Sequence, residues 1–403
     1  MKLQTCLLSM LLAVGILASG QSMYKEITLP ELMKKKKQGE SNMVIVDVRT
    51  RGEYHDTTSR GMQSNIGRIK DAINIPLQDL QQKREAITQL EAYKDKEIYL
   101  VCSHSYRSRS ASRILLKNGF THVTNVQGGM TEWYRRYNDL AGYRKDFFET
   151  TVPYRNYSPA EVLDALIAGK KIQVIGVKAR PQFWYDTFNL KLYRYLPMLK
   201  QMRVVNYADS LDLLAQLQKN PEGPVVLFNL VNNGAAELAD WLTSKGIKGA
   251  GYLVGGLNLF YEYASNQTGR EKLSKWLVEQ SRIRFITPME YCTMVQNNPS
   301  QLVDLRHDTL FNKINSGVKH DFRHMKNALN FFYARGAQEF EQAFADKSKV
   351  YVLVSDNVDA LPFANELSEK GYRVAWILGG LDRWEWYMNN VEGFRCNESL
   401  VEK

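Results

Sequence analysis

Val126-Gln127-Gly128-Gly129-Met130, Leu253-Val254-Gly255-Gly256-Leu257 and Ile377-Leu378-Gly379-Gly380-Leu381 are one phrase written three times, 127 and then 124 residues apart. In each, a short β-like run meets a glycine pair, and an aromatic helical stretch follows: Trp133-Tyr134, then Phe260-Tyr261, then Trp384 to Trp386. Glycine pairs suit a tight strand-to-helix turn, where the backbone visits conformations closed to other residues. One pair is weak evidence; three at this period mark repeated domains.

The helix starts repeat as well. Thr28-Leu29-Pro30-Glu31, Ser158-Pro159-Ala160-Glu161 and Thr287-Pro288-Met289-Glu290 each place a hydroxyl three residues before a glutamate, with a proline in the first helical positions. That is a capping box with a proline where its missing N–H costs nothing. Between these landmarks lie apolar runs at Met43 to Val46 and Glu97 to Val101, a helical stretch from Ser108 to Asn118, and a strand from His122 to Val126. The second copy has Lys171 to Val177, Pro224 to Phe228, a helix over Ala235 to Ser244, and Gly249 to Val254. The third has Gln301 to Leu305, Val350 to Val354, a helix over Ala360 to Lys370, and Arg373 to Leu378. Short apolar strands alternating with helices predict an α/β fold, each unit a mainly parallel sheet flanked by helices on both faces. The expected domains are 24–145, 153–270 and 283–396, with links near 140–157 and 264–286.

Length and composition agree with this division. A chain of 403 residues exceeds one ordinary core. Hydrophobic residues make up 44% and charged residues 24%, with 22 tyrosines and 7 tryptophans, which excludes a disordered chain. The net charge of +10 suits small anionic substrates. The basic residues are scattered and no nucleic-acid module accompanies them, so nucleic acid is not an expected partner. Lys34 to Lys37 reads as the solvated end of a helix. Residues 1–20 read as a signal peptide: Lys2, an apolar run from Leu7 to Leu17, and Ala18-Ser19-Gly20 for cleavage. The expected location is therefore periplasmic or secreted, with no membrane span after cleavage; the alternative is an uncleaved anchor.

In a parallel sheet, ligands gather beyond the carboxyl ends of the strands. Cys102 stands there in the first copy, opening Cys102-Ser103-His104-Ser105-Tyr106-Arg107-Ser108 before a helix. Loop amides, a helix N-terminus and Arg107 together favour negative charge on sulfur. The plain alternative is a buried structural cysteine after a strand. Strand alignment puts Asn229 and Ser355 opposite Cys102, in loops with no arginine where Arg107 stands. The fold is written three times and the reactive chemistry once.

These residues resemble the rhodanese family of sulfurtransferases, as three tandem domains over nearly all of residues 24–396. The family signature Cys-x-x-x-x-Arg-Ser falls on Cys102 to Ser108. Asp47-Val48-Arg49, followed by Glu53-Tyr54, and Gly67 to Asn74 match further family segments, with echoes at Val303-Asp304-Leu305-Arg306 and Met325 to Asn330. Typical members carry glycine and a second basic residue where this chain has Ser105 and Tyr106. The resemblance implies thiosulfate sulfurtransferase activity through a Cys102 persulfide, with a small anionic sulfur donor and a thiol acceptor, small or protein-borne, or cyanide. It implies no cofactor. Cys102 and Arg107 are the expected catalytic residues; Ser103, His104, Ser105, Tyr106, Ser108 and Arg49 are candidates for substrate binding. Asp47 and Arg49 also read as a structural pair, with Glu53 completing that local network.

Cys292 and Cys396 read either as a disulfide pinning the C-terminus or as two separate thiols. No cysteine or histidine cluster has metal-ligand spacing, so no metal is expected. A non-catalytic scaffold or anion-binding module of the cell envelope is the alternative function. A cysteine phosphatase or arsenate reductase would carry its arginine one residue later, where Ser108 stands.

Overall fold

A computed structural model describes residues 24–59, 61–178, 194–230, 234–268, 274–297, 299–312, 324–355, 357–390, 394, 396 and 400–401. The signal expected at 1–20 lies outside them, as do residues 231–233 and Asp356 of the two cysteine-free loops.

Each copy builds one five-stranded sheet. The first uses β1 (Lys25–Thr28), β2 (Met43–Asp47), β3 (Ile73–Asn74), β4 (Glu97–Val101) and β5 (Val123–Gln127). The second uses β6 (Arg155–Tyr157), β7 (Gln173–Lys178), β8 (Arg203–Asn206), β9 (Val225–Asn229) and β10 (Ala250–Leu253). The third uses β11 (Arg284–Ile286), β12 (Ser300–Asp304), β13 (Leu329–Asn330), β14 (Val350–Val354) and β15 (Arg373–Ile377). The strand orders are β1-β5-β4-β2-β3, β6-β10-β9-β7-β8 and β11-β15-β14-β12-β13, one topology three times, with every pairing parallel. The α/β class and the threefold repeat expected from the glycine pairs are therefore the observed architecture.

The helices that matter for the site are α1 (Leu29–Lys37), α2 (Arg51–Tyr54), α3 (Tyr106–Lys117), α4 (Glu132–Arg135), α5 (Pro159–Ile167), α6 (Gly234–Ser244), α7 (Gly256–Thr268), α8 (Pro288–Asn297), α9 (Leu361–Glu369) and α10 (Gly380–Asn390). The three capping boxes start α1, α5 and α8. Thr28, Ser158 and Thr287 each receive the backbone N–H of the glutamate three residues on, and each glutamate returns a bond to the cap.

Alternate residues along each strand enter different cores, as a pleated sheet requires. From β2 and β4, Val44, Val46, Ile98, Leu100 and the adjoining Cys102 enter one core, while Ile45, Tyr99 and Val101 enter another. That second core also holds Ile175, Val177, Val225 and Leu227 of the second domain. Their neighbours Val174, Val226 and Phe228 enter a third core, shared with Val303, Tyr351 and Leu353 of the third domain. Val352 and Val354 enter a fourth. Sheets and cores thus alternate through the molecule, and adjacent domains share apolar interiors.

The stretch 140–157, read above as a link, is mostly ordered structure. A helix runs over Tyr137–Phe147 with Leu140 fully buried, and Phe148–Glu149 pairs antiparallel with Arg68–Ile69. Cys292 and Cys396 are joined as a disulfide, with Cα atoms 5.3 Å apart. Among the described residues no helix is long and apolar enough to cross a membrane.

Candidate active site

β4 ends at Val101, and Cys102 is the next residue. The chain turns through Ser105, held at φ 76°, and enters α3 at Tyr106. A non-glycine residue in this left-handed region is unusual and needs local support. The support comes from the glycine pair of the same domain. Met130 donates its N–H to the Cys102 carbonyl at 2.7 Å, and Thr131 donates both N–H and hydroxyl to the Ser103 carbonyl at 3.2 and 2.9 Å. Gly128 donates its N–H to the Ser105 hydroxyl at 2.6 Å. Gly129, at φ +60°, packs so closely that an added Cβ would lie 2.1 Å from the Cys102 carbonyl oxygen. The pair that marked the repeat is also the clamp on the cysteine loop.

Cys102 is 1% exposed and is the free cysteine among the described residues. The Ser108 hydroxyl lies 3.4 Å from its sulfur. Arg107 makes a two-pronged pair with Glu53, at 2.6 and 2.7 Å, and donates to the Ser103 hydroxyl at 3.0 Å. Burial pushes the Glu53 carboxyl up, but the Arg107 bond and charge, with Thr50, overcome it and hold the group at about 2. The Glu53 bond and charge in turn raise the Arg107 guanidinium above its usual value against the opposing burial. Arg107 therefore meets any ligand with its charge already balanced. Glu53 was expected in the Asp47–Arg49 network; its partner is the loop arginine instead, and Thr50-x-x-Glu53 is a fourth capping box, starting α2.

Arg49 is fully buried. Its Nε and Nη2 bond Asp47, and Nη2 also donates to the Gly67 carbonyl at 2.8 Å. The third domain repeats this clip: Arg306 bonds Asp304 in the same way, and Asn74 and Asn330 brace the two turns alike. A pair kept where the cysteine is absent serves the turn after the strand, and it leaves Arg49 no exposed surface for a substrate.

Ser103, Ser105 and Ser108 are buried, while His104 and Tyr106 are exposed at the rim, Tyr106 at 62%. Desolvation of His104 by the surrounding protein, then the charges of Arg135, Arg107 and Arg383, push its imidazole down to about 4. It is neutral at ordinary pH and does not replace the second basic residue typical of the family. Arg383 belongs to α10 of the third domain and pairs with Glu262 of the second, which also accepts from Tyr387 at 3.1 Å. Arg135 pairs with Glu132 at 2.7 Å. The rim is thus a place where all three domains come together, and its cations Arg107, Arg135 and Arg383 each have a glutamate.

Strand register confirms the equivalence of Cys102, Asn229 and Ser355. Asp47 lies opposite Val101, Gly176 opposite Phe228 and Asp304 opposite Val354, each one residue before the position in question. Asn229 accepts the Ala235 N–H at 2.8 Å, and Ser355 accepts the Asn357 N–H at 3.0 Å. Both have become local turn caps.

The sequence profile of the Rhodanese-like domain matches over residues 28–136. Residues 28–136 are a rhodanese-like domain. The match covers about a quarter of the chain, and the other two units share its sheet topology, consistent with tandem rhodanese-like domains. The chain is 36% identical over 89 residues to the uncharacterized protein YqhL of Bacillus subtilis (strain 168), covering 22% of this chain and 59% of that one. It is 30% identical over 94 residues to the tRNA uridine(34) hydroxylase of Cronobacter sakazakii, covering 23% of this chain and 24% of that one. The chain therefore spans just over half the length of the first relative and about a quarter of the second. Among solved structures, the wild-type structure of EanB aligns over 92% of this chain and 96% of its own, at 17% identity and a TM-score of 0.28. A rhodanese-like domain from Anabaena sp. aligns over 28% of this chain and 74% of its own, at 24% identity and a TM-score of 0.22.

Proposed function

We propose that the rhodanese-like domain transfers sulfane sulfur, with Cys102 as the carrier. The observation that supports this most is the internal comparison. At three register-equivalent positions, the copy with cysteine also has the Arg107–Glu53 pair and the Ser108 hydroxyl beside the sulfur, whereas Asn229 and Ser355 bond their own turns.

In the proposed cycle the Cys102 sulfur attacks the outer sulfur of a donor. The S–S bond of the donor breaks, the leaving group departs with the electron pair (sulfite from thiosulfate, a thiolate from a persulfide), and Cys102 retains a persulfide. An acceptor thiol or cyanide then attacks the outer sulfur and restores Cys102. This is covalent catalysis in two steps with ping-pong kinetics. The Ser103 hydroxyl and the Gly128–Thr131 clamp hold the loop through both steps. The export-signal pattern of residues 1–20 supports a periplasmic or exterior setting for this activity.

The deciding experiment is intact mass after exposure to thiosulfate and, separately, to glutathione persulfide. One added sulfur on the wild-type chain, absent from Cys102→Ser, is the expected result. The balanced rim favours the less charged persulfide over the thiosulfate dianion. No added sulfur from either donor would end the reading.

One observation favours the second reading, a non-catalytic scaffold. Cys102 is 1% exposed, so a donor reaches the sulfur only when the rim around His104 and Tyr106 parts. Slow alkylation of folded Cys102, with no sulfur uptake, would support that alternative.

A further inference from the structure

Asn125, on β5, is fully buried between two polar partners. Its Nδ2 donates to Glu26 at 2.9 Å, and its Oδ1 accepts from the Ser108 hydroxyl at 2.6 Å. Glu26 is itself held by Arg109 at 3.0 Å and Gln127 at 2.8 Å. Only the nitrogen end of an amide donates to a carboxylate, so Glu26 decides that the oxygen end of Asn125 faces Ser108. The Ser108 hydroxyl has one proton and three acceptors in reach: Asn125 Oδ1 at 2.6 Å, the Ser105 carbonyl at 3.1 Å and Cys102 Sγ at 3.4 Å. The shortest contact takes the proton. A lone pair of Ser108, rather than its proton, then faces the sulfur.

The other two domains show whether the fold requires this relay. The register that pairs Glu26 with Asn125 pairs Asn156 with Tyr252 in the second sheet and Phe285 with Trp376 in the third. At the helix entry, Ser108 is replaced by Ala235 in the second domain and by Ala360-Leu361 in the third, all buried. The same sheet therefore forms with different pairs at these places, Asn156 and Tyr252 in the second domain and the apolar Phe285 and Trp376 in the third. Burying an amide and a hydroxyl is costly unless both are bonded, and a core without them is at least as stable. Glu26, Asn125 and a serine at the helix entry occur together only beside the cysteine.

We propose that Asn125, anchored by Glu26, is a positioning residue for Cys102, holding the Ser108 proton away from the sulfur so that a sulfur-loaded Cys102 is favoured over a bare, charged one. The inference rests on the reading that Cys102 carries sulfur. In the loaded form the charge lies on the outer sulfur, the inner sulfur is divalent, and Ser108 keeps its bond to Asn125. In the bare ionised form the hydroxyl must swing to the sulfur, leaving the buried Asn125 oxygen without a donor.

The test uses the full chain as wild type, Asn125→Leu, Ser108→Ala and the double variant. Two quantities are read: the rate of iodoacetamide alkylation of Cys102 at neutral pH, followed by peptide mass, and the loaded fraction of Cys102 at a fixed ratio of glutathione persulfide to glutathione. For Asn125→Leu the alkylation rate is expected to rise roughly tenfold and the loaded-to-bare ratio to fall by a similar factor, the worth of about one hydrogen bond. In the Ser108→Ala background the same change should have almost no effect, which a merely structural role for Asn125 would not produce. Asn125→Val replaces Asn125→Leu if the latter does not fold. A folded Asn125 variant that alkylates no faster, or one whose effect persists without Ser108, overturns the proposal. If alkylation follows the expected pattern while no donor loads Cys102, the positioning role stands and the sulfur-carrier reading falls.

Discussion

Arg49 and Arg306 form the same clip in two domains, one with a cysteine in its loop and one without, and that likeness fixes what Arg49 does. Its guanidinium and the Asp47 carboxylate are both fully buried. Removing one member of such a pair strands the other in the interior, so Arg49→Met is expected to cost about 3–5 kcal/mol in urea unfolding. The KM for a sulfur donor should be unchanged in the folded fraction. Glu53 makes a different prediction. Its carboxyl is held at about 2 by Arg107 and Thr50 against the effect of burial. A carboxyl lowered on folding stabilises the protein at every pH above its unfolded value. That stabilisation drains away as pH falls from about 4.5 toward 2. Sulfur loading and loop protection from proteolysis should fail across this interval in wild type, and Glu53→Gln should show the loosened loop already at neutral pH. Asp47-Val48-Arg49 was recognisable as a pair because the partners are two residues apart. The Glu53–Arg107 pair joins residues 54 apart, and no local pattern announces it.

At the scale of elements, hydroxyl-x-x-glutamate spacing located three helix starts, and each forms the reciprocal bonds that spacing implies. Ser158 is fully buried at its cap, and Ser158→Ala is expected to cost about 1 kcal/mol in thermal unfolding. The glycine pairs are less uniform than their sequence suggests. An added Cβ on Gly129 would stand 2.1 Å from the Cys102 carbonyl oxygen, whereas on Gly256 the nearest atom, the Asn229 carbonyl oxygen, is 3.6 Å away. Both glycines have φ +60°, so an alanine at either meets the same backbone strain of roughly 1–2 kcal/mol. Gly129→Ala must in addition displace the cysteine loop. It should lose sulfur loading and several further degrees of melting temperature, while Gly256→Ala should lose stability alone. The repeated phrase revealed the turn; its pressure on the cysteine loop emerges only when strand, loop and turn are stacked together.

Across the whole molecule the domains are joined through their interiors. The faces carrying Ile45, Tyr99 and Val101 in the first sheet and Ile175, Val177 and Leu227 in the second enter one core. A chain ending at residue 150 would leave its share of that core in water. It is expected to be insoluble or partly unfolded, and the intact protein should melt in a single calorimetric transition. Three separate transitions, or a soluble and folded first domain alone, would contradict the shared cores. The chain's own residues determined the threefold α/β repeat, the helix starts and the place of Cys102, because those follow from short-range periodicity, caps and turns that recur at fixed spacing. Only the tertiary structure decided that Arg107 arrives already paired, that His104 is neutral, that Asn125 and Glu26 stand behind the sulfur, and that arginines of two domains line one rim. Charge balance, desolvation and the direction of a shared proton depend on distances between residues far apart in the chain, and such distances exist only once the sheets have stacked.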